Sequence, residues 1–352
     1  MTSSSRNLQK LRLDFYESGI GETIVITFPS GGIGLVDAHP SKNSLRPEIL
    51  KIVEGKKLHF VCLTHPHADH GVDLVPVLQN HQHIESFWHT IYHVPAFIYG
   101  VEQTVKFPSE VREFAAKMNQ DWGEFLFDVF GAVAERDIPT HELRSNLVAD
   151  VIDGVEIHCL SPDESVQNKF ASAYQEKLAD PAFEVPDPNL ISAVLALRFG
   201  ESVVLLGADA LKKNWETALN QYHKRVLPKA KVLKVPHHGA RNALDLQRTA
   251  KSYLDVCSQE PKAKAVIFAG DAKHPDDDVF EKLRSRTETI CLSNGRKMKL
   301  ANSNPLKLQL RGANAVYPAP VCNPVVSFEL DADGNVSLLA GVSCEAGCFK
   351  QL

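Results

Sequence analysis

Residues 57–64, KLHFVCLT, are nearly continuous in apolar side chains and then break into HPHADH at residues 65–70. Such a run reads as a strand, and a strand apolar on both of its alternating faces must be covered on both. A sheet with one wet face is excluded; a layered fold of sheets and helices is required. The same break places four metal-capable side chains, His65, His67, Asp69 and His70, within six positions at a strand end.

The rest of the chain supplies the layers. LRLDFYE, ETIVITF and IGLVDAH, between residues 11 and 39, are separated by SGIG and PSGG, which predicts a meander. A helix is expected from about Leu74, with Pro76 in its first turn, where a missing N–H costs nothing. Residues 108–136 carry apolar side chains at helical spacing. Strands are expected again in VEIHCL from 155, in a hairpin from Ser192 to Asp209, in KVLKVP (231–236) and in AKAVIFAG. Helices carrying Trp215 and Tyr222, and later DDDVFEKL, lie between and after them. A last hairpin turns at Asp333-Gly334. We expect one domain over residues 10–345, with a helical insertion at about 94–150 and a polar excursion at about 163–188.

Composition bounds the partners. The net charge of −5 does not describe a general polyanion-binding surface, so any nucleic-acid affinity has to be local. The absence of a long apolar run, or of an apolar core near residue 1, predicts a cytoplasmic protein without a membrane association. Seven scattered cysteines with no CxxC pair fit reduced thiols. Between Lys212 and Lys251 ten basic residues face only Glu216 and Asp245. This local excess reads either as solvated helix faces or as a wall that favours phosphodiesters.

The chemistry follows from the strand ends. His65 and His67, two apart, project to one side and can address one metal ion. Asp69 and His70, past the turn, can face a second ion. Imidazole and carboxylate together suit zinc and are also accepted by manganese.

With its HxHxDH run, the chain resembles the metallo-β-lactamase-fold hydrolases over nearly its whole length. The resemblance implies a four-layer αββα sandwich with two divalent metal ions, zinc in the first place and manganese as the alternative, at one edge of the sheets. It implies that Asp37 in GLVDAH supports the ligand loop, that Asp209 in VVLLGADA bridges both ions, and that the last histidine ligand comes from LKVPHHGA. His237, first off the strand, is expected to be that ligand; His238 is then a proton donor or substrate contact. A finer likeness is to the nuclease domain of competence DNA-uptake proteins (ComEC-type). It rests on YESGIGETIVI, LVDAH, LKVPHHGA and GDAKHPDDDVFEKL, with Glu17 and Glu22 in place of aspartates and His39 in place of glycine. His274 occupies that branch's HP position.

One departure bears on the metals. Family members often supply a further histidine before the strand leading into the Asp209 hairpin, where this chain reads VPDPNLISAV, with Asp187 and Asn189 as the nearest polar candidates. The first ion would then draw on His65, His67 and Asp209, with water completing its shell. The expected activity is a metal-dependent phosphodiesterase or nuclease acting on DNA or RNA. In it Asp69 orients the attacking water and His238 or His274 protonates the leaving group. Two alternatives stay open: a hydrolase of a small ester, thioester or lactam, and an effector subunit of a defence-type assembly that stays latent until its insertion binds a protein partner.

Overall fold

The computed structural model describes residues 10–19, 21–40, 48–92, 122–179, 186–244, 252–269, 274–292 and 325–340. Its first half contains β1 (Leu11–Tyr16), β2 (Ile24–Thr27), β3 (Ile33–Val36), α1 (Ile49–Val53), β4 (Leu58–Leu63), α2 (Ala68–Gly71), α3 (Leu74–Asn80), β5 (Phe87–His89), α4 (Trp122–Glu135) and β6 (Thr140–Glu142). The second half contains β7 (Val148–Ile152), β8 (Val155–Ser161), α5 (Glu164–Ala179), β9 (Val194–Phe199), β10 (Ser202–Leu206), α6 (Lys212–Lys224), β11 (Val232–Lys234), β12 (Lys264–Phe268), α7 (Asp277–Arg286) and β13 (Glu288–Leu292). The hairpin β14 (Val325–Leu330) and β15 (Val336–Ala340) then returns to the first sheet.

The strands form two sheets, ordered β15-β14-β1-β2-β3-β4-β5-β6 and β13-β12-β11-β10-β9-β8-β7. Side-chain alternation explains how they stack. Leu13, Phe15, Phe60 and Cys62 of the first sheet pack with Ile157, Leu195, Val204 and Phe268 of the second in one core between the sheets. The alternate residues Leu35, Val61 and Leu63 turn outward onto Leu74, Val77 and Leu78 of α3 and Phe125, Leu126 and Val129 of α4. On the far side, Val203, Leu205 and Leu233 meet Trp215, Ala218, Leu219 and Tyr222 of α6 and Val279 and Leu283 of α7. The result is the four-layer αββα sandwich that the sequence resemblance implies, with β4 buried on both faces as its composition requires.

Both sheets change from antiparallel to parallel pairing partway across. β3, β4, β5 and β6 run parallel, as do β10, β11, β12 and β13. Parallel strands bring their carboxyl ends to a common edge, where loops are free to carry ligands. Register then aligns the motifs: Leu206 pairs with Lys234, so Asp209 and His237 each lie three residues beyond the pair.

Within the stretch expected as an insertion, residues 93–121 lie outside the described residues. The part described is built into the frame. Helix α4 covers the first sheet, β6 extends that sheet, and the following β7 belongs to the second. In the polar excursion, α5 buries Gln167 and Phe170, and the Gln167 amide donates to Thr90 O and Leu143 O. Cys62, Cys159, Cys257 and Cys291 are buried and form no disulfide among the described residues; Cys322, Cys344 and Cys348 lie outside them. Among the described residues no helix is long and apolar enough to cross a membrane.

Candidate metal centre

The loop after β4 is held by the residue that ends β3. Asp37, fully buried, accepts from Thr64 N at 2.8 Å, from Thr64 Oγ1 at 2.7 Å and from His70 Nδ1 at 2.7 Å. Thr64 Oγ1 in turn accepts from His65 Nδ1 at 3.1 Å. One carboxylate therefore fixes the tautomers of two histidines and turns the Nε2 atoms of both toward the cleft, as an oriented metal ligand requires.

His65 Nε2 lies 3.1 Å from His67 Nδ1. Two nitrogens bound at about 2.0 Å to a tetrahedral ion sit about 3.3 Å apart, so this pair is spaced for one ion. Burial pushes His65 well below its ordinary pKa and lowers His67 despite the nearby Asp69 carboxylate. The shift favours the neutral imidazole that a metal ligand requires. The Asp69 carboxylate is partly exposed, with Oδ2 4.0 Å from His70 Nε2.

The second sheet contributes from above. Asp209 follows Ala208, whose φ of 41° places an alanine in the left-handed region. Asp209 Oδ2 lies 3.7 Å from His70 Nε2, 3.6 Å from His238 Nε2 and 3.9 Å from His237 Nε2. Consecutive left-handed residues, His237 (φ 47°) and His238 (φ 54°), turn the chain sharply enough to aim both rings at this carboxylate. Such conformations cost roughly 1 kcal/mol or more each and persist where surrounding contacts impose them. Here the contacts are His237 N to Ala208 O at 2.9 Å and His238 Nδ1 to Phe268 O at 3.0 Å.

The sequence gives His237 priority for being first off the strand, but it is His238 that joins His70, Asp209 and Glu22 in a buried group whose ligand atoms lie within 4.8 Å of one another. His237 borders this group, with its side chain 18% exposed. His274 is farther out, with its ring centre 6.0 Å from that of His237 and Nδ1 3.7 Å from Asp276 Oδ2.

Charge and hydrogen bonding show what the group lacks. Burial opposes a charge on His70, yet Asp37, Asp209 and Asp69 hold its pKa well above the ordinary value. Burial likewise opposes a charged Asp209, and His238 and His70 outweigh it, keeping the carboxyl well below its usual range. His70 Nε2, Asp209 Oδ1 and His237 Nδ1 are buried without a hydrogen-bond partner. Orphaned buried polar atoms are rare because each costs about 1–3 kcal/mol. Of these, His70 Nε2 and Asp209 Oδ1, beside the ligand-spaced His65 and His67, fit divalent ions as the missing partners.

At the departure noted above, Asn189 is buried in a short turn, its Oδ1 also without a partner, while Asp187 accepts from Asn189 N at 2.9 Å. Asp187 is close enough to His67 to favour its protonated form. Two residues of the centre escaped the sequence reading. Lys234, counted above among the surface basic residues, is fully buried, and its Nζ contacts the Glu22 carboxylate. Burial by itself pushes the ammonium well below its ordinary range; the carboxylates beside it act in the opposite sense. The clue was its place between Leu233 and Val235 in a short apolar strand.

No protein-family model matches the sequence, and no curated protein does. Among solved structures, the chain is similar to Igni18, a metallo hydrolase from the hyperthermophilic archaeon Ignicoccus hospitalis. Identity is 11%, the TM-score 0.44, and coverage 81% of this chain and 96% of that one. It is similar to the CmlA beta-hydroxylase at 13% identity and TM-score 0.42, covering 80% of this chain and 52% of the other. It is similar to a diphosphatase of the PhnP family at 10% identity and TM-score 0.33, covering 80% and 87%. At these scores the likenesses carry no argument about chemistry.

Proposed function

We propose that this chain is a metal-dependent hydrolase that cleaves phosphodiesters, with DNA or RNA as its substrate. The observation that carries the reading is the convergence of His65, His67, His70, Asp209 and His238, from the strand ends of two sheets, with buried ligand atoms left unpartnered. Divalent ions held there would supply Lewis-acid polarisation and a water acidified toward neutral pH. The protein's own part is positional. Asp37 and Thr64 fix the ring orientations, and Asp69, the more exposed carboxylate, orients the attacking water. His237 or His274, on the outer side, is placed to protonate the leaving oxygen; His238, expected for that role from sequence, is engaged at Asp209.

The phosphodiester assignment is supported by the first turn of α6. Lys212 and Lys213 are exposed there, three and four residues after Asp209, with no acidic residue in the turn. Cations at a helix N-terminus oppose the helix dipole. An anionic substrate lying beside Asp209 would offset that local cost. The wall is narrower than the sequence count implies. Lys234 is buried, Arg225 is turned onto His158 and Leu147 O, and Arg241 is paired with Asp278 at 2.9 Å. Lys224, at the other end of α6, lies about 18 Å from Lys212. Asp245, Arg248 and Lys251 lie outside the described residues.

The test is a side-by-side assay of purified protein on single- and double-stranded nucleic acid, a generic phosphodiester and a thioester, with zinc and with manganese. Nucleic-acid cleavage is expected. Turnover of the thioester alone would reject the substrate class in favour of small-molecule hydrolysis. A protein that binds metal yet cleaves none of these would favour the latent-subunit reading.

A further inference from the structure

We infer that Glu22 and Lys234 form a charge guard for Asp209: Glu22 engages the buried ammonium so that Asp209 keeps both of its oxygens for divalent ions. This rests on the metal-centre reading above and adds Glu22 to it as a positioning residue.

Lys234 is fully buried at the end of β11. Its Nζ donates to Ala208 O at 2.7 Å, contacts Glu22 and lies 3.8 Å from Asp209 Oδ1. One ammonium thus faces two carboxylates. In a buried site the cation must be paired, and whichever carboxylate pairs with it is less available to a metal. The geometry gives the cation to Glu22. That residue comes from the turn before β2, across the sandwich, where its backbone N–H donates to Asp69 O at 3.3 Å. Apart from Lys234, the described residues give its carboxylate no hydrogen-bond partner. Asp209 Oδ1 also has none. If Glu22 lost its charge, a shift of about 1 Å would bring Lys234 into hydrogen-bond range of Asp209 Oδ1. Ion pair and metal would then compete for the same carboxylate.

The test is calorimetric titration of the chelator-stripped full-length protein with manganese and with zinc, folding being checked by circular dichroism. Glu22→Gln should weaken metal binding about tenfold or more, the scale on which a buried charge loses its partner. Adding Lys234→Met to Glu22→Gln should restore affinity to within about threefold of the wild type, because the competitor is gone. Lys234→Met alone should stay within the same range.

Wild-type affinity in Glu22→Gln would overturn the guard. So would a double variant as weak as Glu22→Gln, which would mark Glu22 as a ligand in its own right. Loss of metal by folded Lys234→Met would overturn it as well. If Glu22→Gln does not fold, the double variant decides alone: wild-type-like affinity supports the guard and weak binding rejects it. A wild-type protein that binds no divalent ion would sink the metal-centre reading itself, whereas normal wild-type binding with an unrestored double variant sinks only the guard.

Discussion

Asp37 Oδ2 lies 2.7 Å from His70 Nδ1 with both side chains fully buried, although 33 positions separate them in sequence. A carboxylate can only accept here, so Nδ1 carries a proton in either charge state, and Nε2, which faces Asp209, is the atom that an ion would take in place of a proton. Asp37→Asn puts an amide among three donors. At best its oxygen serves one or two of them, and its NH2 set against His70 favours the other tautomer, which carries the proton on the ligand atom. Metal affinity should fall about 10- to 100-fold, the range for residues that orient a ligand, in the same calorimetric titration.

His65→Ala and Asp209→Ala each remove a ligand atom from the middle of the centre. Both variants should fold and lose turnover together with metal stoichiometry measured by elemental analysis. Undiminished hydrolysis in either one would remove the catalytic model.

The adjacent histidines separate by geometry. His238 Nε2 is nearer Asp209 than His237 Nε2, at 3.6 against 3.9 Å, and its ring is fixed by Phe268 O. We expect His238→Ala to lose more metal at equilibrium than His237→Ala, and His237→Ala to affect turnover more than occupancy. Equal metal loss in the two variants would assign both as ligands.

Gly21 approaches the ligand turn with no room to spare: a Cβ there would lie 2.0 Å from Asp69 O and 2.5 Å from His39 Cβ. Since the nearest atom is backbone, Gly21→Ala must push the Asp69 turn away. Urea denaturation should show a loss of about 1–3 kcal/mol, the usual cost of overpacking, accompanied by weaker metal binding.

His89, at the end of β5, is buried among Phe87 and Phe130, and burial pushes its pKa down to about 4. An unfolded histidine titrates near 6.5, so between these values the unfolded chain holds the extra proton. Stability therefore falls as pH drops from about 6.5 toward 4, by up to roughly 3 kcal/mol for this group. His89→Gln should flatten the stability profile over that window in urea melts. A profile as steep as the wild type's would show that His89 does not titrate in this way.

What could be read from the sequence was the set of features in which chemistry directly follows an apolar run. β4 announces its double burial by composition, and HPHADH, GAD and PHH come at strand ends, where ligands are presented. The two-sheet layering was legible only as what the family resemblance implied. Lys234 could not be read this way. A lysine in a strand ordinarily keeps its head in water, and only the docking of the opposite sheet brings Glu22 to it. The grouping of His238 with Asp209 was hidden for a related reason. Proximity to the strand favours the first, but two successive left-handed residues, which no glycine announces, redirect the second into the group with Asp209. The helix α4 was legible as a helix, while its place as a covering layer depended on Phe125 meeting Gly71, a contact between distant segments.

The division of the centre between the two sheets has a thermodynamic consequence. An ion held by His70 and Asp209 is a cross-link that closes a loop of about 140 residues in the unfolded chain. Loading the centre should thus stabilise the whole sandwich as well as the local turn. Melting temperature would rise with metal concentration by mass action, so that the ion works as a removable staple between two sheets whose shared core is apolar.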